Sequence, residues 1–244
     1  MRSKLLSPSA GHAYQAVIFD FEGTLVNFQW QLQPAEDELR AAFGELGFEG
    51  DDFAHGNYAT MWNTAARLLE PQGRLAELRQ ALYPIYDRWD SDALTRWAPR
   101  PGVAELLRHF SAGDLPVGMV SNIGQRALTG ALRRFDFAGW LSPVVTRDDV
   151  SCMKPGAEGI LRVLSAWQLA AGEVLFVGDS KADVCGARAA GVAVAIIRGG
   201  ECVETDFADD PPDHMISHLS ELVELIAGST PTSKETRSAP RDHP

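Results

Sequence analysis

Ala16-Val-Ile-Phe-Asp20-Phe-Glu-Gly-Thr-Leu25 decides how this chain is read. A short apolar run ends on a carboxylate, a second carboxylate follows two positions on, and a glycine and a hydroxyl come next. The run predicts a buried strand whose end points acidic groups out of the carboxyl edge of a sheet, where open α/β folds bind ligands. Side chains alternate along a strand, so Asp20 and Glu22 share a side if the extended geometry persists. A carboxylate is a weak nucleophile in water. It becomes useful where a cation screens an incoming phosphoryl or acyl group and a neighbour handles protons. Read alone, the same letters also fit a strand end and a glycine turn with two solvated acids.

Three later segments repeat the arrangement. Pro116-Val-Gly-Met-Val120 runs into Ser121-Asn122, and Pro143-Val-Val-Thr146 leads to Asp148-Asp149 and on to Lys154-Pro155. Glu173-Val-Leu-Phe-Val177 runs into Gly178-Asp-Ser-Lys-Ala-Asp183. A helical pattern follows each, so strand and helix alternate, which argues for a parallel sheet. The expected fold is α/β, a Rossmann-like parallel sheet sandwiched by helices. All strand ends of such a sheet lie along one edge, so Asp20, Ser121, Lys154 and Asp179 can converge there although far apart in sequence.

Residues 26–97 interrupt the alternation with helical patterns alone. Pro34 to Gly47 has proline in its first turn, acids near its start and glycine at its end. Tyr58 to Leu69 and Leu75 to Trp97 also read as helical, the second expected to break or bend near Pro84. Val103, Leu106, Leu107 and Phe110 form one apolar helical stripe, and Leu219, Leu222, Val223 and Ile226 another; both read as core packing. From Gly228 onward no large apolar residue follows, which predicts a flexible tail. The expected organisation is an α/β core of residues 14–25 and 98–227, an all-helical insertion of residues 26–97, and flexible termini at 1–13 and 228–244.

At 244 residues the chain can bury one α/β domain plus a smaller insertion. Hydrophobic content of 45% and charged content of 23% are those of a globular protein. A net charge of -11 argues against a nucleic-acid-binding surface, which needs clustered Lys and Arg. No apolar run is long enough for a membrane span, and Met1 to Pro8 lacks the apolar centre of a signal peptide, so the cytoplasm is the expected location. Cys152, Cys185 and Cys202 suggest no disulfide framework, and Cys152 reads as a small semi-buried hydrophobe. The six histidines are scattered, with none placed to activate Ser121 or Ser180.

Taken together, the four polar strand ends resemble the haloacid dehalogenase-like hydrolase superfamily, in its subgroup of small phosphatases similar to phosphoglycolate phosphatase. Asp20-Phe-Glu-Gly-Thr-Leu25 resembles the first motif, Ser121-Asn122 the second, Lys154-Pro155 the third, and Gly178 to Gly191 the fourth. The resemblance spans roughly residues 14–200 in the family's order and spacing. The departure is Glu22, where the family normally has a second Asp. Haloacid dehalogenases proper have Tyr there and the phosphonate-cleaving branch has Ala. Enolase-phosphatases share Glu, but they continue with a second Thr where this chain has Leu25, and they lack the Gly178-Asp-Ser pattern.

The resemblance implies a role for each matched residue. Asp20 would attack phosphorus and Glu22 would act as acid and then base. Mg²⁺ would be held by the carboxylates of Asp20 and Asp179 and the main-chain carbonyl of Glu22. Ser121, the backbone of Asn122 and Lys154 would hold phosphoryl oxygens, Asp183 would support the metal site, and Thr24 would order the loop. The helical insertion would be a cap closing over the site. Among its side chains, Asn27, Trp30, Arg67 and Arg88 belong to types that more often pack or meet solvent than read substrate. The expected substrate is a small phosphorylated metabolite, with phosphoglycolate the family-typical choice, and the expected state is monomer or homodimer. Two other readings stay open. A dehalogenase using Asp20 on carbon is disfavoured by Glu22, and a non-catalytic binding member is disfavoured by the presence of Asp20, Lys154 and Asp179.

Overall fold

The computed structural model describes residues 14–228. The expectation of flexible termini falls on residues 1–13 and 229–244, outside the described residues. Strands β1 (Ala16–Phe19), β2 (Val117–Val120), β3 (Val144–Val145), β4 (Val174–Gly178), β5 (Ala193–Ile197) and β6 (His214–Ile216) form one sheet in the order β3-β2-β1-β4-β5-β6. Every pairing is parallel. The order reverses direction between β1 and β4, which makes their carboxyl ends the switch point where such sheets bind ligands. Strands β5 and β6 were not among the expected ones. β5 is a short apolar run and β6 only three residues long, and periodicity alone does not distinguish such stretches from buried helix or loop.

The sheet is buried on both faces because its strands alternate between two apolar clusters. Val17, Phe19, Met119, Leu175, Val177, Ala195 and Ile197 face one side, packed with α5 (Val103–Ala112), α6 (Gln125–Arg134) and α9 (Glu221–Ile226). Ala16, Ile18, Val120, Val174, Phe176, Val194 and Ile196 face the other, packed with α7 (Glu158–Trp167) and α8 (Lys181–Ala190). Near-continuous apolar strands of this kind are what a helix-covered parallel sheet requires.

Between β1 and α5 the chain is helical: α1 (Leu32–Glu45), α2 (Asp51–Ala54), α3 (Tyr58–Leu69) and α4 (Leu75–Leu94), with a single 3₁₀ turn at Glu70–Gln72. The side chain of Asn57 caps α3 by accepting from the main-chain N–H groups of Ala59 and Thr60. Helix α4 runs through Pro84 unbroken, so of the expected break or bend there the break is not formed. Leu78, Leu82, Tyr86, Asp90 and Ala93 are buried along one of its faces, and packing on both sides of Pro84 outweighs the hydrogen bond the proline lacks. The segment leaves and rejoins the core side by side. Val26 bridges Pro99 in antiparallel fashion, and Arg100 N–H donates to the Leu25 carbonyl at 2.9 Å. Its inner residues, Leu39, Phe43, Trp62 and Leu82 among them, join the same apolar cluster as Val17 and Phe19.

Candidate active site

Four strand ends meet at the switch point. Asp20 follows β1, Ser121 follows β2, Lys154 lies on the loop after β3, and Asp179 follows β4; all four are buried. Lys154 Nζ lies 2.6 Å from Asp20 Oδ1 and 2.6 Å from Asp183 Oδ1. Burial lowers its pKa, but Asp183 and Asp20 more than offset that and favour the charged ammonium. Asp183 is fully buried, and its Oδ2 accepts from the main-chain N–H groups of Asp179 and Ser180 and from the Ser180 hydroxyl. It therefore fixes the turn that carries Asp179 and positions Lys154 at the same time.

Asp179 is held equally closely. Its Oδ1 accepts from the Thr24 hydroxyl at 2.9 Å and its Oδ2 from the Glu201 N–H at 2.6 Å. The Thr24 hydroxyl thus bonds across the site rather than within its own loop. A Cβ added at Gly23 or Gly200 would collide with the Asp179 carboxylate, and Gly23 has φ +80°, so both chain segments approach as only glycine permits. Burial raises the Asp179 carboxyl well above the usual range, and Asp183 and Asp20 add to it; burial likewise raises Asp20 against the opposing charge of Lys154. Asp20, Asp179 and Asp183 each bring a carboxylate oxygen to within 4.8 Å of the others. Crowded, buried carboxylate oxygens of this kind suit a hard divalent cation such as Mg²⁺. The carboxylates that gather are those of Asp20 and Asp179 with Asp183 beside them; the part expected of Glu22 belongs to its main-chain carbonyl and not to its side chain.

Glu22 has a different environment. Its Oε1 accepts three N–H groups at 2.7 Å each, from the main chain of Gln29 and Trp30 and from the Trp97 indole. Burial lifts its carboxyl to about 7 although these donors oppose the rise. The bonds anchor it where the chain enters and leaves the helical segment. Trp30 extends the connection, since its indole donates to Asp90 Oδ1 at 3.1 Å. Asp90 Oδ2 in turn accepts from Gly124 N–H and from Arg147 Nη1, both at 2.9 Å. Arg147, 1% exposed, also bonds Asp87 from Nη2 at 2.6 Å and lies against the rings of Tyr83 and Tyr86.

Asn122 joins core to helices through its side chain. Nδ2 donates to the Lys154 carbonyl and the Tyr58 hydroxyl, and Oδ1 accepts from Lys154 N–H. The Ser121 hydroxyl accepts from Ile123 N–H at 3.2 Å. The cleft over these groups is narrow, with room for water centres of about 30 Å³, and Phe28, Tyr58 and Glu201 complete its lining. A far larger hollow of about 570 Å³ lies outside it, between α3 and the loop Ser151–Gly156, and none of the site carboxylates lines it.

Sequence reading missed Tyr58, Asp90, Trp97, Arg147 and Glu201. Asp90 did carry a signal, a charged residue continuing the four-residue spacing of Leu78, Leu82 and Tyr86 on the buried stripe of α4. Of the helical-segment candidates, Trp30 meets Glu22 through its main-chain N–H and Asp90 through its indole. The Asn27 side chain caps the N–H of Ala98, Arg88 pairs with Glu38 at the surface, and Arg67 lines the outer hollow.

Residues 17–197 match the profile of the haloacid dehalogenase-like hydrolase family. The chain belongs to this family. It is 28% identical over 229 residues to a phosphoglycolate phosphatase of Photorhabdus laumondii, covering 93% of this chain and 96% of that one. It is 27% identical over 220 residues to the N-acetylmuramic acid 6-phosphate phosphatase of Pseudomonas aeruginosa, covering 87% and 94%. Among solved structures, a family hydrolase from Geobacter sulfurreducens superposes with a TM-score of 0.56 at 24% identity, covering 87% and 100%. CbbY from Rhodobacter sphaeroides does so at 0.59 and 16%, covering 86% and 96%. The structural likenesses establish the shared fold. No helix among the described residues is long and apolar enough to cross a membrane.

Proposed function

We propose that this chain is a Mg²⁺-dependent phosphomonoester hydrolase that acts on a small phosphorylated metabolite through an aspartyl-phosphate. The observation that carries the reading is the contact of Lys154 Nζ with both Asp20 and Asp183, with Asp179 alongside, at the sheet's switch point. A free Asp20 oxygen bonds phosphorus while the ester P–O bond breaks, and the departing alkoxide takes a proton from Glu22. Water then attacks the same phosphorus and returns a proton to Glu22. The acyl-phosphate P–O bond breaks, releasing inorganic phosphate and restoring Asp20. Glu22 presents Oε2 to the leaving oxygen, since its anchoring bonds all fall on Oε1. A carboxyl lifted to about 7 can serve in both directions at neutral pH.

Lys154, Ser121 and the main chain of Asn122 hold the phosphoryl oxygens, while Asp183 and Thr24 keep Lys154 and Asp179 in place. Asp20, Asp179 and the main-chain carbonyl of Glu22 would hold Mg²⁺, which would supply positive charge to offset that of the phosphoryl group. Residues 26–97 serve as the cap that excludes water. Three free cysteines support a reducing compartment such as the cytoplasm. Phosphoglycolate as the particular substrate is supported by relatives' names alone.

A panel of small phosphate esters tested with and without Mg²⁺ decides the matter. Phosphate release should require the metal, cease on chelation, and fall to background in Asp20→Asn, whose near-isosteric amide can neither attack nor ligate as an anion. Chelator-resistant turnover, or an active Asp20→Asn protein, overturns the reading.

A further inference from the structure

The cleft is lined from two sides. Asp20, Ser121 and Lys154 reach it from the sheet edge, whereas Phe28 and Tyr58 come from the helical segment and Glu201 from the loop after β5. We infer that the ester cleaved here carries a small, uncharged, hydroxyl-bearing alcohol rather than a second anionic group. This rests on the phosphatase reading above.

Charge carries the argument. Lys154, the cation lining the cleft, is committed to Asp20 and Asp183 and, in the reading above, to the phosphoryl group. Arg147 reaches the adjoining hollow with Glu22, Phe28 and Tyr58, but it is sealed from solvent and its guanidinium is spent on Asp87 and Asp90. On the helical segment, Arg40 is tied to Asp37 and to the carbonyls of Phe53 and Gly56. Among the described residues that line the cleft, Lys154 is the one cation, so none beside it is left there to meet a second negative group on the substrate. What faces the leaving group instead is acidic. Glu22 and Glu201 line the cleft, and Glu36 stands behind Tyr58, its carboxylate accepting the Tyr58 N–H at 3.3 Å. A carboxylate brought here gives up hydration in a narrow cleft that offers it acidic neighbours and no counter-charge, a cost that discriminates between ligands.

The same groups suit hydroxyls. Carboxylate oxygens accept from alcohol O–H groups, the Tyr58 hydroxyl can donate or accept, and the Phe28 and Tyr58 rings offer faces to C–H groups. The narrowness of the cleft restricts the alcohol to a few carbons.

The test uses the Mg²⁺-loaded protein and two matched pairs that differ only in CH₂OH against carboxylate. These are 2-hydroxyethyl phosphate against 2-phosphoglycolate, and glycerol 1-phosphate against 3-phosphoglycerate, with p-nitrophenyl phosphate as a general reporter. In both pairs kcat/KM should favour the neutral ester at least tenfold. Glu201→Lys, an exposed position whose N–H to Asp179 is kept, should shift both ratios at least tenfold toward the carboxylated member. Equal or greater turnover of either carboxylated ester by the wild type overturns the inference, as does a folded Glu201→Lys protein with unchanged ratios. Turnover of the aryl phosphate with neither pair cleaved overturns it too, while leaving the phosphatase reading standing. Failure on all five esters removes that reading and the inference with it.

Discussion

Glu22 is the residue at which this chain parts from its family's usual motif, and its surroundings explain how the longer side chain is accommodated. Three N–H donors converge on Oε1, so the extra methylene is met by an anchor rather than left to wander. Glu22→Gln keeps the shape but removes the proton, and it should lower kcat by at least about 10²-fold, the lower bound of general acid–base help. Glu22→Asp should also lower kcat, because a shorter arm cannot keep the three donors and reach the leaving oxygen together; displacements near 1 Å cost about a hundredfold. Steady-state kinetics on a reporter phosphate check both, and wild-type activity in Gln would give the proton to another group. That Glu22 lies beside Asp20 was legible from two-residue spacing. Its contact with the Trp97 indole, 75 positions away in sequence, was not, because nothing local fixes that approach.

At the scale of elements, α3 and α4 are stitched to the core loop that follows β3. The Trp62 indole donates to the Ser151 carbonyl, Asn63 exchanges bonds with Met153, and the Tyr83 hydroxyl donates to the Arg147 carbonyl. The buried Arg147–Asp90 pair lies at the centre of these bonds. Arg147→Met would leave Asp90 charged in an apolar setting, where breaking a buried pair costs about 3–5 kcal/mol. A urea midpoint lowered to match, with an unchanged slope, is the expected outcome. A shift within about 0.5 kcal/mol, ordinary for surface substitutions, would mean that the pair bears no weight. The three longer helices could be read in sequence as helical patterns, and α3 falls on its expected residues. Their docking could not, since Arg147 gives no periodic signal and Asp90 is legible only as a charge on an apolar stripe.

Across the whole molecule, the first described residues meet the last strand. The Tyr14 hydroxyl lies 3.0 Å from His214 Nε2, so β6 is secured by a residue 200 positions earlier in the chain. Burial lowers the His214 pKa below its ordinary value, against the pull of Asp213. The unfolded chain therefore binds the proton more readily than the folded one. The stability this group contributes is complete above the unfolded value, about 6.5, and is lost as pH falls through the depressed folded value. His214→Gln, which cannot charge, should be destabilising at pH 7 and lose that deficit toward pH 5, read as the difference in Tm between the two proteins. A difference constant with pH would refute the linkage. The sheet as a whole was legible because its four active-site strands end in polar clusters, and the parallel order followed from alternation with helices.

The side-by-side departure and return of the chain at Val26 and Pro99 has an evolutionary consequence. An insertion whose two ends sit one strand spacing apart can lengthen, shorten or be exchanged while the sheet keeps its register, because the sheet senses only where the ends are. Residues that read the alcohol can then drift independently of those that cleave the ester. Relatives of similar overall length and shared fold are accordingly free to diverge in diet while retaining the same chemistry.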